Sequence, residues 1–181
     1  RLIMQKLVVI LGTNASGKSD LGLRLARHFG GEVVSADSRQ VYRGLDLGSG
    51  KITPAQAASV KHHLIDVADV SEYFSLAQYQ RAAYSAIDAM AAAGKLPCLV
   101  GGTGLYLSAI VEGYQLVDVP PNDPLRAELE SLPLDQLVQR LQQADPEGAR
   151  RIDQRNPRRI IRAIEVAHAG QTHAGLDAAA E

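Results

Sequence analysis
The chain has 181 residues, 46% of them hydrophobic, enough to bury a substantial core as one domain with an appendage. Its formal net charge of −1 supplies no global field for nucleic acid, so any RNA contact must be local. Aromatic residues are only 4% with no Trp, which excludes an open stacking surface for single strands, and no apolar run approaches the ~20 residues of a membrane span.

Residues 7–11, LVVIL, predict a short buried parallel strand. GTNASGKS follows at 12–19 and fits G-x-x-x-x-G-K-[ST], with Gly12, Gly17, Lys18 and Ser19 at the fixed positions. Beyond it, Leu21, Leu25 and Phe29 recur every four residues and predict a helix with that face buried. Strand, glycine loop and helix together make an anion site from Gly12, Thr13, Asn14, Ala15, Ser16, Gly17, Lys18 and Ser19. The backbone N–H groups converge, the helix N-terminus adds its dipole and Lys18 adds a point charge. The Ser19 hydroxyl is the candidate ligand for Mg²⁺. Phosphate is therefore expected, but the loop alone does not settle whether the ligand is ATP.

A second strand is predicted at 32–35, ending in Ala36, Asp37 and Ser38, and a short third at 63–66. A helix is predicted from Ser75 to Ala93, with Leu76, Tyr79, Ala83, Ile87 and Met90 on one side and Gly94 as its stop. A fourth strand at 98–100 closes on Gly101, Gly102, Thr103 and Gly104. This alternation gives an α/β fold with a mainly parallel sheet flanked by helices. Ligands of such sheets sit beyond the carboxyl ends of the strands, so the glycine loop, residues 37–40 and residues 101–104 should share one crevice. Cys98 reads as a core residue, and His62 and His63 lack the spacing of metal ligands on one face. Asp37, among Ser38, Arg39, Gln40, Tyr42 and Arg43, has two readings here: a carboxylate that meets a substrate, or a helix cap in a polar turn.

After Gly113 the pattern changes. Residues 118–124 carry three prolines and read as a linker, and no strand follows. Asn122 or Asp123 with Pro124, Asp145 with Pro146, and Asn156 with Pro157 each predict a capped helix start. Leu134, Leu137, Val138 and Leu141 make a narrow apolar stripe. The expected division is an α/β core at 4–117, a helical insertion at 118–157, then a helix returning to the core and a low-complexity tail at 158–181. Residues 150–162 hold six arginines against Asp153 alone, either a solvated helix face or an RNA backbone clamp.

GTNASGKS, SADSRQVYRGLDLGSGK, HHLIDV, CLVGGTGLYL and DPEGARRIDQRNPRRIIRAIEV occur in that order. Together they resemble the tRNA dimethylallyltransferase family across residues 7–172, the SADSRQVY and GGTGLY blocks being the most specific. The resemblance implies a P-loop NTPase-like core with a small all-helical insertion. It implies that the loop holds dimethylallyl diphosphate with Mg²⁺, and that the acceptor is N6 of the adenosine 3′ of the anticodon in tRNA. It implies Asp37 as the base, with Lys18 and Thr103 also in the catalytic set. Asp37, Ser38, Arg39, Gln40, Thr103, Arg126, Arg158, Arg159, Ile160, Ile161 and Arg162 are implied to contact tRNA. Lys51 matches a family lysine near phosphate, while Thr13-Asn14 stands where the family has Pro-Thr. A cytoplasmic monomer is expected, with Met4 as the start, no signal peptide, and a C-terminus shortened relative to the family. The alternatives are a shortened, inactive relative that still binds diphosphate or RNA, and an adenylate isopentenyltransferase acting on free nucleotide.

Overall fold
The computed structural model describes residues 6–13, 15–45 and 52–171, so the expectations for Met4, Asn14, Lys51 and the tail beyond 171 lie outside the described residues. The chain divides into two compact units, Arg1–Leu116 and Val117–Glu181.

In the first unit four strands, β1 (Val8–Leu11), β2 (Glu32–Ala36), β3 (His62–His63) and β4 (Pro97–Gly101), form one parallel sheet in the order β1-β4-β2-β3. All five residues of β2 and of β4 are buried, as expected of strands covered on both faces. Alternation divides them: Val33, Cys98 and Val100 face helix α1 (Lys18–His28), while Val34, Ala36 and Leu99 face α3 (Leu76–Ala92) and α4 (Gly104–Val111). The third strand is shorter than the sequence suggests, because Leu64 and Asp66 take φ of 62° and 56° and leave the extended region.

Helix α1 buries a different face from the one predicted. Leu21 and Phe29 are 48% and 58% exposed, and the packed residues are Gly22, Leu23 and Ala26. The cause is closeness: a Cβ on Gly22 would lie 2.6 Å from Val100 Cγ2, so the helix approaches β4 through its smallest residues. Helix α3 follows its prediction and opens with a capping box in which Ser75 and Gln78 satisfy each other's backbone N–H. A further helix, α2 (Pro54–Ser59), was not anticipated, although Thr53, Pro54 and Gln56 form the same kind of box.

The second unit holds α5 (Asp123–Glu130), α6 (Leu134–Ala144), α7 (Pro146–Arg151) and α8 (Pro157–His168). Asn122, Asp145 and Asn156 each accept a backbone N–H at a helix start, and proline follows in the first turn each time. Leu129, Leu137, Leu141, Ala149, Ile160, Ile161 and Ile164 make its core. Helix α8 contributes Ile160, Ile161 and Ile164 to this helical core, packed with α5 and α6.

Candidate functional site
The parallel register aligns three strand ends. Leu11 pairs with Gly101 and Gly101 with Ala36, so β1, β4 and β2 finish on one line. Beyond that line lie the glycine loop, residues 102–103 and residues 37–38. Neighbouring strands are about 4.8 Å apart, which sets the ends of β1 and β2 roughly 10 Å from each other with β4 between them.

The loop is shaped by positive φ at Ala15 and Gly17, 59° and 81°, and a Cβ on Gly12 would meet Ser16 Oγ at 2.6 Å. Gly17 is the N-cap of α1 and uses no side chain, so the first-turn N–H groups point outward. Lys18 Nζ folds back and donates to Thr13 O at 3.0 Å, which leaves the ammonium over the mouth of the loop. Ser19 is exposed in the same turn. Asn14 lies outside the described residues.

Glycines bring the third segment close. A Cβ on Gly101 would lie 2.0 Å from Ala36 O, and one on Gly102 would lie 3.2 Å from Gly12 O and 3.6 Å from Lys18 Cε. These contacts put GGTG against both neighbours. Thr103 N donates to Ala36 O at 3.1 Å, and Thr103 Oγ1 accepts Ser38 N–H at 3.0 Å and donates to Ser38 Oγ at 3.3 Å. Thr103 thus clasps the turn after β2. Asp37 Oδ1 accepts Arg39 N–H at 2.9 Å, an Asx turn that fixes the carboxylate; residues 38–41 form turns, so there is no helix here for Asp37 to cap. Ser38 and Arg39 are exposed, whereas half-buried Gln40 accepts Ser35 Oγ through its amide oxygen at 2.9 Å.

Behind this rim sits an aromatic support. Tyr79 and Tyr106 stack with centroids 3.8 Å apart, and Tyr79 donates to Ser35 O at 3.0 Å. Burial, then the neighbouring Tyr42, Asp37 and Tyr73, push the Tyr106 phenol up to about 12, so it stays a neutral donor. The GGTGLY block marks Tyr106 in the sequence. Tyr79 carried no signal beyond its helical period.

In the helical unit the arginines differ from one another. Arg158 and Arg159 are exposed. Arg162 donates to Glu165 Oε2 at 3.3 Å and to Val119 O at 2.7 Å. Arg126 grips Glu165 with Nε at 2.7 Å and Nη2 at 2.9 Å. Ile160 and Ile161, in the expected RNA-contacting run, are 0% and 7% exposed and belong to the helical core, Ile161 also lining a cleft with Arg126, Arg158 and Arg162. Their isoleucine chemistry already favoured burial. Burial alone would raise the Glu165 carboxyl, but donors from Arg126, the Asn122 N–H and Arg162 outweigh it and hold it below the usual carboxylate range. Among the described residues no group of three or more His, Cys, Asp or Glu could hold a metal, and no helix is long and apolar enough to cross a membrane.

Residues 40–179 match the family model described as IPP transferase. The chain belongs to the IPP transferase family. It is 55% identical over 167 residues to a tRNA dimethylallyltransferase of Roseiflexus castenholzii, covering 90% of this chain and 55% of that protein. The corresponding protein of an Exiguobacterium species is 49% identical over 169 residues, 91% and 54% of the two chains. Among solved structures, a full-length tRNA isopentenylpyrophosphate transferase from Bacillus halodurans superposes with a TM-score of 0.61 at 42% identity, over 91% of this chain and 55% of that one. A eukaryotic dimethylallyltransferase acting on tRNA gives 0.73 at 30% identity, over 90% and 41%. These neighbours carry the P-loop NTPase-like core, and the chain spans about half the length of the curated relatives it matches.

Proposed function
We propose that this family member transfers the dimethylallyl group of dimethylallyl diphosphate to N6 of the adenosine 3′ of the anticodon in tRNA, releasing pyrophosphate. The observation that carries it is the alignment of strand ends, which sets a cationic glycine loop and a carboxylate on opposite sides of β4. Strand ends roughly 10 Å apart suit a ligand anchored by phosphate at one end and reacting at the other. The relatives' names supply the donor and acceptor classes.

In this reading the loop amides and Lys18 bind the diphosphate and meet the charge that builds on it as the allylic C–O bond breaks. The adenine N6 lone pair forms the new C–N bond, and its proton passes to Asp37, whose position the Arg39 N–H fixes. Thr103 keeps Ser38 and Asp37 beside β4, and Ser38 and Arg39 face the RNA. A lone hydroxyl with substrate phosphates suits Mg²⁺, which keeps several waters and needs few protein ligands; at Ser19 it would supply further positive charge to the leaving pyrophosphate. Arg158 and Arg159 supply phosphate contacts from the helical unit. A tRNA substrate fits a cytoplasmic monomer.

Ligand discrimination tests the donor assignment. In competition calorimetry, dimethylallyl diphosphate and pyrophosphate should displace each other from the loop, and no ATP should be turned over. ATP hydrolysis with no heat from the prenyl diphosphate would return the site to a nucleotide-dependent phosphotransferase.

A further inference from the structure
Glu165 is 2% exposed in the middle of α8. A carboxylate buried this far is costly unless several donors meet it. Four contacts do so: Arg126 Nε at 2.7 Å and Nη2 at 2.9 Å, the Asn122 N–H at 2.8 Å, and Arg162 Nη1 at 3.3 Å. Arg162 Nη2 also donates to Val119 O at 2.7 Å. One side chain therefore joins the segment before α5, α5 itself and α8. No sequence signal had marked it.

The same arrangement shapes a surface. Arg126 and Arg162, with Arg158, Glu130 and Ile161, line a cleft of about 310 Å³ between α5 and α8. An arginine on an open helix samples many rotamers and must give them up on meeting a phosphate. One already held in a fork loses less. Arg162 spends one N–H on Glu165 and one on Val119 O, and a planar fork carries five.

We infer that Glu165 is a positioning residue for RNA binding: it holds Arg126 and Arg162 in the geometry in which they and Arg158 receive backbone phosphates. The inference rests on the RNA-binding part of the proposed function. It also makes a prediction opposite to that of charge counting. Glu165→Gln removes a negative charge from a basic surface, so electrostatics alone would tighten RNA binding. Loss of positioning weakens it.

The test measures binding of an anticodon stem-loop RNA to the full chain by fluorescence anisotropy, at two salt concentrations, with thermal denaturation in parallel. Glu165→Gln should bind about tenfold more weakly, the size of one charge-assisted hydrogen bond. Its affinity for dimethylallyl diphosphate should not change. Binding by folded Glu165→Gln that equals or exceeds the wild type overturns the positioning role, whatever happens to its melting temperature. Failure of the wild type itself to bind RNA overturns the RNA reading, and this inference with it. Should Glu165→Gln not fold, Glu165→Asp keeps the charge while withdrawing the carboxylate by one methylene, and it should lose RNA affinity in the same way. The unaltered free chain gives an independent arm: the Arg126 Nε–H should show a single slowly exchanging NMR resonance, and a fast-exchanging, averaged one refutes the held fork.

Discussion
Lys18 and Asp37 serve opposite ends of the proposed reaction, so their substitutions should separate. Lys18 is the glycine loop's side-chain cation, and its Nζ already lies over the loop on Thr13 O. Lys18→Ala should weaken dimethylallyl diphosphate binding by roughly 2–3 kcal/mol, as loss of a charge-assisted hydrogen bond does. Calorimetry showing wild-type affinity would remove the diphosphate from this loop. Asp37→Ala should leave that affinity in place and cut turnover about 10²- to 10⁴-fold, the usual range for a general base. A mutant with normal turnover would leave Asp37 only its turn with the Arg39 N–H. At this scale the sequence was informative where chemistry is bound to spacing. The loop, Asp37 and Thr103 could all be named from it. It was silent on Tyr79 and Glu165, whose roles depend on partners 44 and 39–43 residues away along the chain.

Elements explain why the rim holds together. The GGTG turn after β4 can touch both neighbours only because it lacks side chains. Gly101→Ala would place a Cβ 2.0 Å from Ala36 O and 2.4 Å from Ala36 C, and backbone atoms cannot step aside as a flexible side chain can. A loss of about 1–3 kcal/mol is expected, the range for overpacking, read from urea denaturation; an unchanged midpoint would show that β2 and β4 are not this close. At the opposite end of the sheet, Glu32 is buried beneath His63, at 2.6 Å, and Lys95. Burial alone would raise its carboxyl, but these donors prevail and hold it below the ordinary carboxylate value of 4.5. A depressed folded pKa means that the unfolded chain binds more protons in acid. The stabilisation is therefore complete above about pH 5 and is lost as pH falls through 4.5 and below. Glu32→Gln should flatten the fall in unfolding free energy below about pH 5; an equally steep fall in the mutant would assign the acid sensitivity elsewhere. Periodicity found α3 because its apolar side chains are large. It misread α1 because small residues, Gly22 and Ala26, make the closest contact there while Leu21 and Phe29 remain outside. The α2 box was legible as Thr53 and Gln56, with proline in the first turn.

For the whole molecule, a net charge of −1 hides two differently built surfaces. In the proposed reaction the α/β unit meets phosphate with backbone amides and one lysine. The helical unit carries side-chain cations, of which Arg126 and Arg162 are tied to Glu165 while Arg158 and Arg159 stay exposed. The division after residue 116 follows the change from alternating strands to capped helices, which could be read directly from the prolines and the missing strand patterns.

The central claim is that the loop and Asp37 act on one reaction, and the fate of the prenyl group tests it most directly. The chain is incubated with labelled dimethylallyl diphosphate, Mg²⁺ and an unmodified anticodon stem-loop, and the RNA is digested to nucleosides for mass spectrometry. The expected products are N6-dimethylallyladenosine at the position 3′ of the anticodon and pyrophosphate in equal amount, both lost in Asp37→Ala. Label that never enters the RNA, or that enters it equally well in Asp37→Ala, would contradict the claim.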